Sequence, residues 1–260
     1  MFKEYYEKML KQLSIDFNCT PEDLLAKENK ITVSADNAGR RMYDPNKTFL
    51  DMVTLGGNAL VTADECLHEF LRGFIKDAEG HRLFEVGKLS ILDQEVRKYG
   101  YKMAGSHHMF LPCRKVEVEE RYPVKWFFDE EINGFYGDSR FPNSICYPEP
   151  SPTIRDRMVV AAYDGDTIMG MSGCSEDAPN WMQVGVDVLP EYRSKGLGTY
   201  LVTLMKNKII EQGAVPFYGT ASSNIHSQKI ALSAGFCPAW VEVESYKIEK
   251  EKTTGTIEWE

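Results

Sequence analysis

Residues 186–199, VDVLPEYRSKGLGT, place two glycines and two basic side chains just ahead of a long run of periodic apolar residues. The valines before Pro190 read as a β-strand, and the periodic run after Gly198 reads as a helix. A helix start carries backbone N–H groups with no intrahelical acceptor, and the macrodipole adds partial positive charge there. Gly196 and Gly198 remove side chains that would block a close approach, while Arg193 and Lys195 supply positive charge. A diphosphate is the natural guest of such an end. The spacing fails GxxxxGK[ST], because no Gly-Lys-Ser/Thr follows, and it fails GxGxxG. An ATP-binding reading would also need metal carboxylates, for which no pattern is found.

The same segment fits (Arg/Gln)-x-x-Gly-x-(Gly/Ala) after Val-x-Pro-x-Tyr. Downstream, NIHSQKIALSAGF over 224–236 is an Asn-led helix ending in Gly-Phe. Together the two motifs resemble the GNAT superfamily of acyl-CoA N-acyltransferases over about residues 155–248. The resemblance implies that Arg193, Ser194, Lys195, Gly196, Leu197, Gly198 and Thr199 bind the coenzyme A pyrophosphate. It also implies that Asn224 meets the pantetheine or phosphate portion, with Ser227 one helical turn later sharing the role. The strand end at Val186 and Val188 would receive the pantetheine arm, and the N–H near Val188 would polarise the thioester oxygen. Acetyl-CoA is then the expected cosubstrate, and an amine of a small molecule or peptide the expected acceptor. Asn224 and Gly235 also serve as ordinary helix caps, and both readings hold together.

One position departs from the family pattern. Seven residues after the Asn, many members carry a tyrosine that reprotonates the leaving thiolate; here it is Ala231. Tyr218, on the preceding strand, is a substitute general acid. Asp187 is the first candidate base, because strand alternation sets it opposite Val184, Val186 and Val188. Glu176 and Asp177, read as a loop before that strand, are alternatives that would also attract a cationic acceptor. The missing tyrosine leaves a second reading open, an acyl-CoA-binding sensor without turnover.

The elements that must hold these residues are an antiparallel meander followed by strand–helix–strand–helix–strand. Strands are expected at Met158–Tyr163, Thr167–Cys174 and Trp181–Val188, with a long helix from Leu197, then Val215–Thr220, a helix at Ile225–Ala234 and a last strand at Trp240–Ile248. The fold class is α/β (α+β): a GNAT-like mixed central sheet with flanking helices over 121–249, preceded by a smaller N-terminal α/β domain over 1–120. A looser likeness to a GNAT branch with such an extra domain supports that division. Trp126 to Tyr136 reads as a short aromatic-rich helix, and Met103 to Leu111 as a strand. His107 and His108 then point to opposite faces, which argues against a shared metal ion. Residues 250–260 form a polar tail.

Composition narrows the class. The chain has 260 residues, 43% hydrophobic, and a net charge of −9, which repels nucleic acid and anionic lipid. The six cysteines form no CxxC pair and so suggest neither zinc knuckle nor redox motif. No apolar run approaches a membrane span, and nothing near Met1 reads as a signal peptide, so a cytoplasmic location is expected. Oligomeric state is not legible, a homodimer being one option.

Overall fold

The structure is a computed structural model that describes residues 1–42 and 48–248, so the polar tail over 250–260 lies outside the described residues. In chain order come α1 (Phe2–Asp16), α2 (Pro21–Leu24), β1 (Lys30–Val33), β2 (Leu50–Thr54) and β3 (Ala59–Ala63). Then follow α3 (His68–Ile75), α4 (Val86–Arg97), β4 (Tyr101–Met103), β5 (His107–Pro112) and β6 (Val124–Phe128). The remainder is β7 (Arg155–Asp164), β8 (Thr167–Ala178), β9 (Trp181–Val188), α5 (Leu197–Glu211), β10 (Val215–Ala221), α6 (Ile225–Ser233) and β11 (Phe236–Lys247).

Among the described residues the strands form one eleven-stranded sheet, ordered β1-β3-β2-β11-β5-β10-β9-β8-β7-β6, with β4 also paired to β11. Pairing is antiparallel except for β1 with β3 and β9 with β10. The sheet runs unbroken across residue 120: β5 is inserted between β10 and β11, and β2 pairs with β11 on its far side.

Two apolar stripes decide the faces. On one face, Tyr5, Met9 and Leu13 of α1 pack on Val53, Met109, Leu111, Phe217 and Trp240. On the other, Leu201, Met205 and Ile209 of α5 pack on Phe110, Val184, Tyr218 and Phe236. Each fully buried side chain of this kind contributes roughly 1.5–3 kcal/mol. A third cluster, Ile132, Phe141 and Ile145 over Val159, Ala161 and Met171, covers the end of the sheet that α1 leaves open on its own face. The gap between α1 and this cluster becomes the site.

Two expected elements differ. Trp126 and Phe128 join one core cluster while Phe127 joins another, so this run alternates with period two and pairs with β7 as a strand. The helical part is only a 3₁₀ turn over Asp129–Phe135. Likewise the strand expected over Met103 to Leu111 is broken at 104–106, with β4 and β5 on either side and the Ala104 N–H turned to Glu244 O at 2.8 Å.

Candidate active site

The cradle forms as its residue types dictate. After β9 the chain makes a 3₁₀ turn over Pro190–Tyr192, and then Ser194 and Gly196 both adopt left-handed backbone, with φ of 63° and 81°. Gly196 is the N-cap of α5 and carries no side-chain cap. The first amide of the helix to find an intrahelical acceptor is that of Tyr200, on Gly196 O at 3.0 Å. The N–H groups of Leu197, Gly198 and Thr199 therefore face outward from a left-handed to right-handed turn, an anion-binding concavity.

The two glycines have different jobs. A Cβ on Gly196 would meet nothing within 4 Å, so this position needs glycine for its backbone and leaves open space in front of the amides. A Cβ on Gly198 would meet Ile230 Cδ1 at 3.1 Å and Val188 Cγ2 at 3.6 Å. Gly198 thus lets α5 approach α6 and β9 rather than clearing a path for ligand. Arg193 Nε donates to Val188 O at 2.8 Å, bracing the turn against the strand end. Lys195 stands apart from the other cradle residues. Its Nζ turns back to Glu191 O at 3.4 Å and lies 5.8 Å from the Tyr192 ring centroid, and the residue does not line the cavity described below.

Beyond this turn the sheet opens. β9 and β10 pair only from Trp181–Val215 to Gln183–Phe217, after which β10 continues along β5 instead. The Leu189 N–H donates to Met169 O at 2.9 Å, and Asp187 stands opposite Met171, so the odd-numbered residues of β9 bond to β8. Alternation turns the N–H and C=O of Val184, Val186 and Val188 to the other side, where β10 has departed. Arg193 occupies the Val188 carbonyl. The Val188 N–H is left facing the gap.

Tyr218 and Asn224 stand across that gap. The Tyr218 hydroxyl shares a 2.9 Å hydrogen bond with Ser227 Oγ. Burial pushes the phenol above its ordinary range; the Ser227 bond opposes this, and the negative charge of Asp187 adds to it. A phenol so placed stays protonated and can donate. Asn224 Oδ1 accepts the Ser227 N–H at 3.1 Å, which makes it the N-cap of α6. Ala231 is fully buried in the core between the helices and the sheet, so no side chain there reaches the gap.

On the α1 face lies a second wall. A Cβ on Gly173 would sit 1.8 Å from Ser144 O, and one on Gly185 would sit 1.7 Å from Asn143 O. Only glycine lets the loop around 143–144 lie this flat on β8 and β9. Asp187 pins that loop: its carboxylate accepts from Asn143 N and Nδ2 at 2.7 and 2.6 Å, and from Ser144 N and Oγ at 2.8 and 3.0 Å. With four donors on its two oxygens, Asp187 is an anchor of the wall and is poorly placed to be the base. Glu176 and Asp177 fall on β8 rather than on a loop. Glu176 reaches Arg157 at 3.6 Å and the Asn180 N–H at 3.2 Å. Asp177 is buried, with its Oδ1 bonded to Ser175 Oγ at 2.7 Å, and burial pushes it up to about 7.

The same face carries residues whose role the sequence did not reveal. His107 stands opposite Ala221 on one side and Glu242 on the other. Glu242 takes Arg41 Nη2 and Trp240 Nε1 at 2.8 and 2.7 Å, and Arg41 reaches on to Asp16 at 2.6 Å. Asp51 stands opposite Glu244. A single cavity of about 1180 Å³ is lined by Val186, Asp187, Val188, Arg193, Ser194, Gly196, Leu197, Gly198, Thr199, Tyr218, Asn224 and Ser227. Asp51, His107, Glu242 and Glu244 belong to the same wall. The expected cradle residues except Lys195 are thus brought together with Asp187 and Tyr218, whereas Glu176 and Asp177 stand outside the cavity. Among the described residues, no group of His, Cys, Asp and Glu could hold a metal ion, and no helix is long and apolar enough to cross a membrane.

The site is a splayed parallel strand pair, with an uncapped helix start on one side and a buried phenol across the gap. Residues 115–236 match the model of the Acetyltransferase (GNAT) family, and this part of the chain is a GNAT acetyltransferase domain. Among solved structures, the chain is similar to a GNAT-family protein from Novosphingobium aromaticivorans, at 19% identity and a TM-score of 0.44, over 56% of this chain and 66% of that one. It is also similar to an acetyltransferase from the GNAT family of Colwellia psychrerythraea, at 14% identity and a TM-score of 0.42, over 62% of this chain and 63% of that one. The chain therefore spans a little under two thirds of the length of both. No curated protein sequence matches it.

Proposed function

We propose that this protein transfers an acyl group, acetyl in particular, from acyl-CoA to a primary amine by direct attack. The supporting observation is that one cavity joins the free amides of α5, the inward Val188 N–H and the Tyr218 hydroxyl to an open wall on the opposite face of the sheet. The diphosphate sits on the amides of Leu197, Gly198 and Thr199, and the pantetheine arm runs along Val186 and Val188 into the gap. The Val188 N–H hydrogen-bonds the thioester oxygen where negative charge develops. The amine enters from the α1 face. As its N–C bond forms and the C–S bond breaks, Tyr218 donates its proton to the sulfur and is reprotonated through Ser227.

The amine must also lose a proton. A lysine-like amine is neutral in only about one molecule in a thousand at pH 7, so a base on the acceptor wall matters. His107 fits this role better than Asp187. It faces the cavity at the level of Ala221, one strand from the gap, and imidazole is the side chain most often used for such transfers.

The test is incubation of the full chain with acetyl-CoA and a panel of primary amines, following free thiol and the mass of the acetylated amine. Thiol release matched by acetylated product is expected. Tight CoA binding without thiol release for any amine would instead favour a sensor without turnover.

A further inference from the structure

The acceptor wall is built from strands far apart in sequence, and its outermost member is the least explained. Asp51 lines the cavity, yet its Oδ1 is sealed from solvent and has no hydrogen-bond partner among the described residues. Leaving a carboxylate oxygen buried and unpaired is costly unless a cation comes to it. Burial, with the negative charges of Glu242 and Glu244, pushes Asp51 well above its usual range, and Arg41 only partly opposes this. Arg41 is already shared by Asp16 and Glu242. The β2–β11 register sets Asp51 opposite Glu244, and the strands then run β11, β5, β10 to the gap.

We propose that Asp51, with Glu244 beside it, receives a second cationic group of the acceptor, so that the substrate is an elongated polyamine-like cation rather than a simple amine. This rests on the reading of the site as an acyl-CoA-dependent amine acyltransferase. The span sets the length. From β10 to β2 there are three strand spacings of about 4.8 Å, with an offset of two residues along the strand. Allowing for side chains reaching inward, the two nitrogens stand roughly 10–15 Å apart. The N-terminal half thereby supplies the specificity wall of a reaction whose cosubstrate is held by the C-terminal half.

Calorimetry on the full chain saturated with CoA decides this without needing turnover. Spermidine, whose terminal amines match the span, is compared with 1,3-diaminopropane and 1-aminobutane. Binding of spermidine at least about tenfold tighter than either is expected, with Asp51→Asn removing most of that advantage while CoA still binds as a check on folding. Equal affinity for the three amines in the unaltered protein, or an unchanged spermidine affinity in Asp51→Asn, would overturn the proposal. If Asp51→Asn fails to fold, the comparison in the unaltered protein decides. Selective spermidine binding without acetylation would sustain the cation site while refuting the transferase reading; acetylation of all three amines alike would do the reverse.

Discussion

Tyr218 and Ser227 meet across the sheet–helix boundary, hydroxyl to hydroxyl at 2.9 Å, with the phenol buried and the serine opening on the cavity. The pair lines the same cavity as the start of α5, and under the proposed mechanism it would supply the proton that the side chain of Ala231 cannot. Replacing Tyr218 with Phe should lower kcat on the order of a hundredfold and leave CoA affinity within about twofold, as expected for a lost general acid. Ser227→Ala should cost less. Steady-state thiol release beside CoA calorimetry checks both. A Tyr218→Phe variant with normal kcat would remove the tyrosine from the mechanism.

The glycines of the turn separate in the same way. Gly196→Ala forces a Cβ into left-handed backbone and toward the open space before the amides. It should weaken CoA severalfold or more with a stability loss of about 1 kcal/mol. Gly198→Val drives side-chain atoms into Ile230 and should lower the melting temperature before it touches affinity, at roughly 1–3 kcal/mol. Thermal melts paired with titrations distinguish them.

Asp187 and His107 make opposite predictions. Asp187→Asn loosens the loop around 143–144, so it should raise the acceptor KM several-fold, expose 141–146 to protease and leave the shape of the pH–rate profile intact. His107→Asn should lower kcat on the order of a hundredfold and leave CoA affinity within about twofold. Should Asp187→Asn instead lower kcat by that factor with the acceptor KM unchanged, Asp187 would be restored as the base.

Much of this was legible in sequence, for identifiable reasons. β9 and α5 follow from uninterrupted periodicity on one face, and the observed strand Trp181–Val188 coincides with the expected one. The cradle follows because Gly196 and the uncapped helix start are local features. The acceptor wall was hidden. Alternation places His107 and Glu242 on one face of their own strands, yet nothing local inserts β5 between β10 and β11 or sets Asp51 against Glu244. The Tyr218–Ser227 bond is equally tertiary. Gly173 and Gly185 did carry a signal, since glycine inside a strand marks close backbone approach. The aromatic run at 126–128 misled because alternating burial on two cores places bulky apolar residues consecutively.

Asp177 offers a test of the buried network. Its folded value is raised to about 7 from an ordinary 3.8, so between those values the folded state holds a proton that the unfolded chain has lost. Its contribution to stability is full below about pH 4 and declines as pH rises toward 7. Asp177→Asn should therefore stabilise the protein at pH 8 relative to pH 5, by about 2–3 kcal/mol. Melting curves across that range would show a flattened slope, and an unchanged slope would contradict the assignment.

The grip of the α5 start on a diphosphate carries the proposed function most directly. Calorimetric titration of CoA into the full chain, and into Gly196→Asp, measures it. Micromolar binding to the unaltered protein, weakened at least a hundredfold by a carboxylate set before the amides, is the predicted result. No detectable heat with millimolar CoA, or equal affinity in the two proteins, would contradict it.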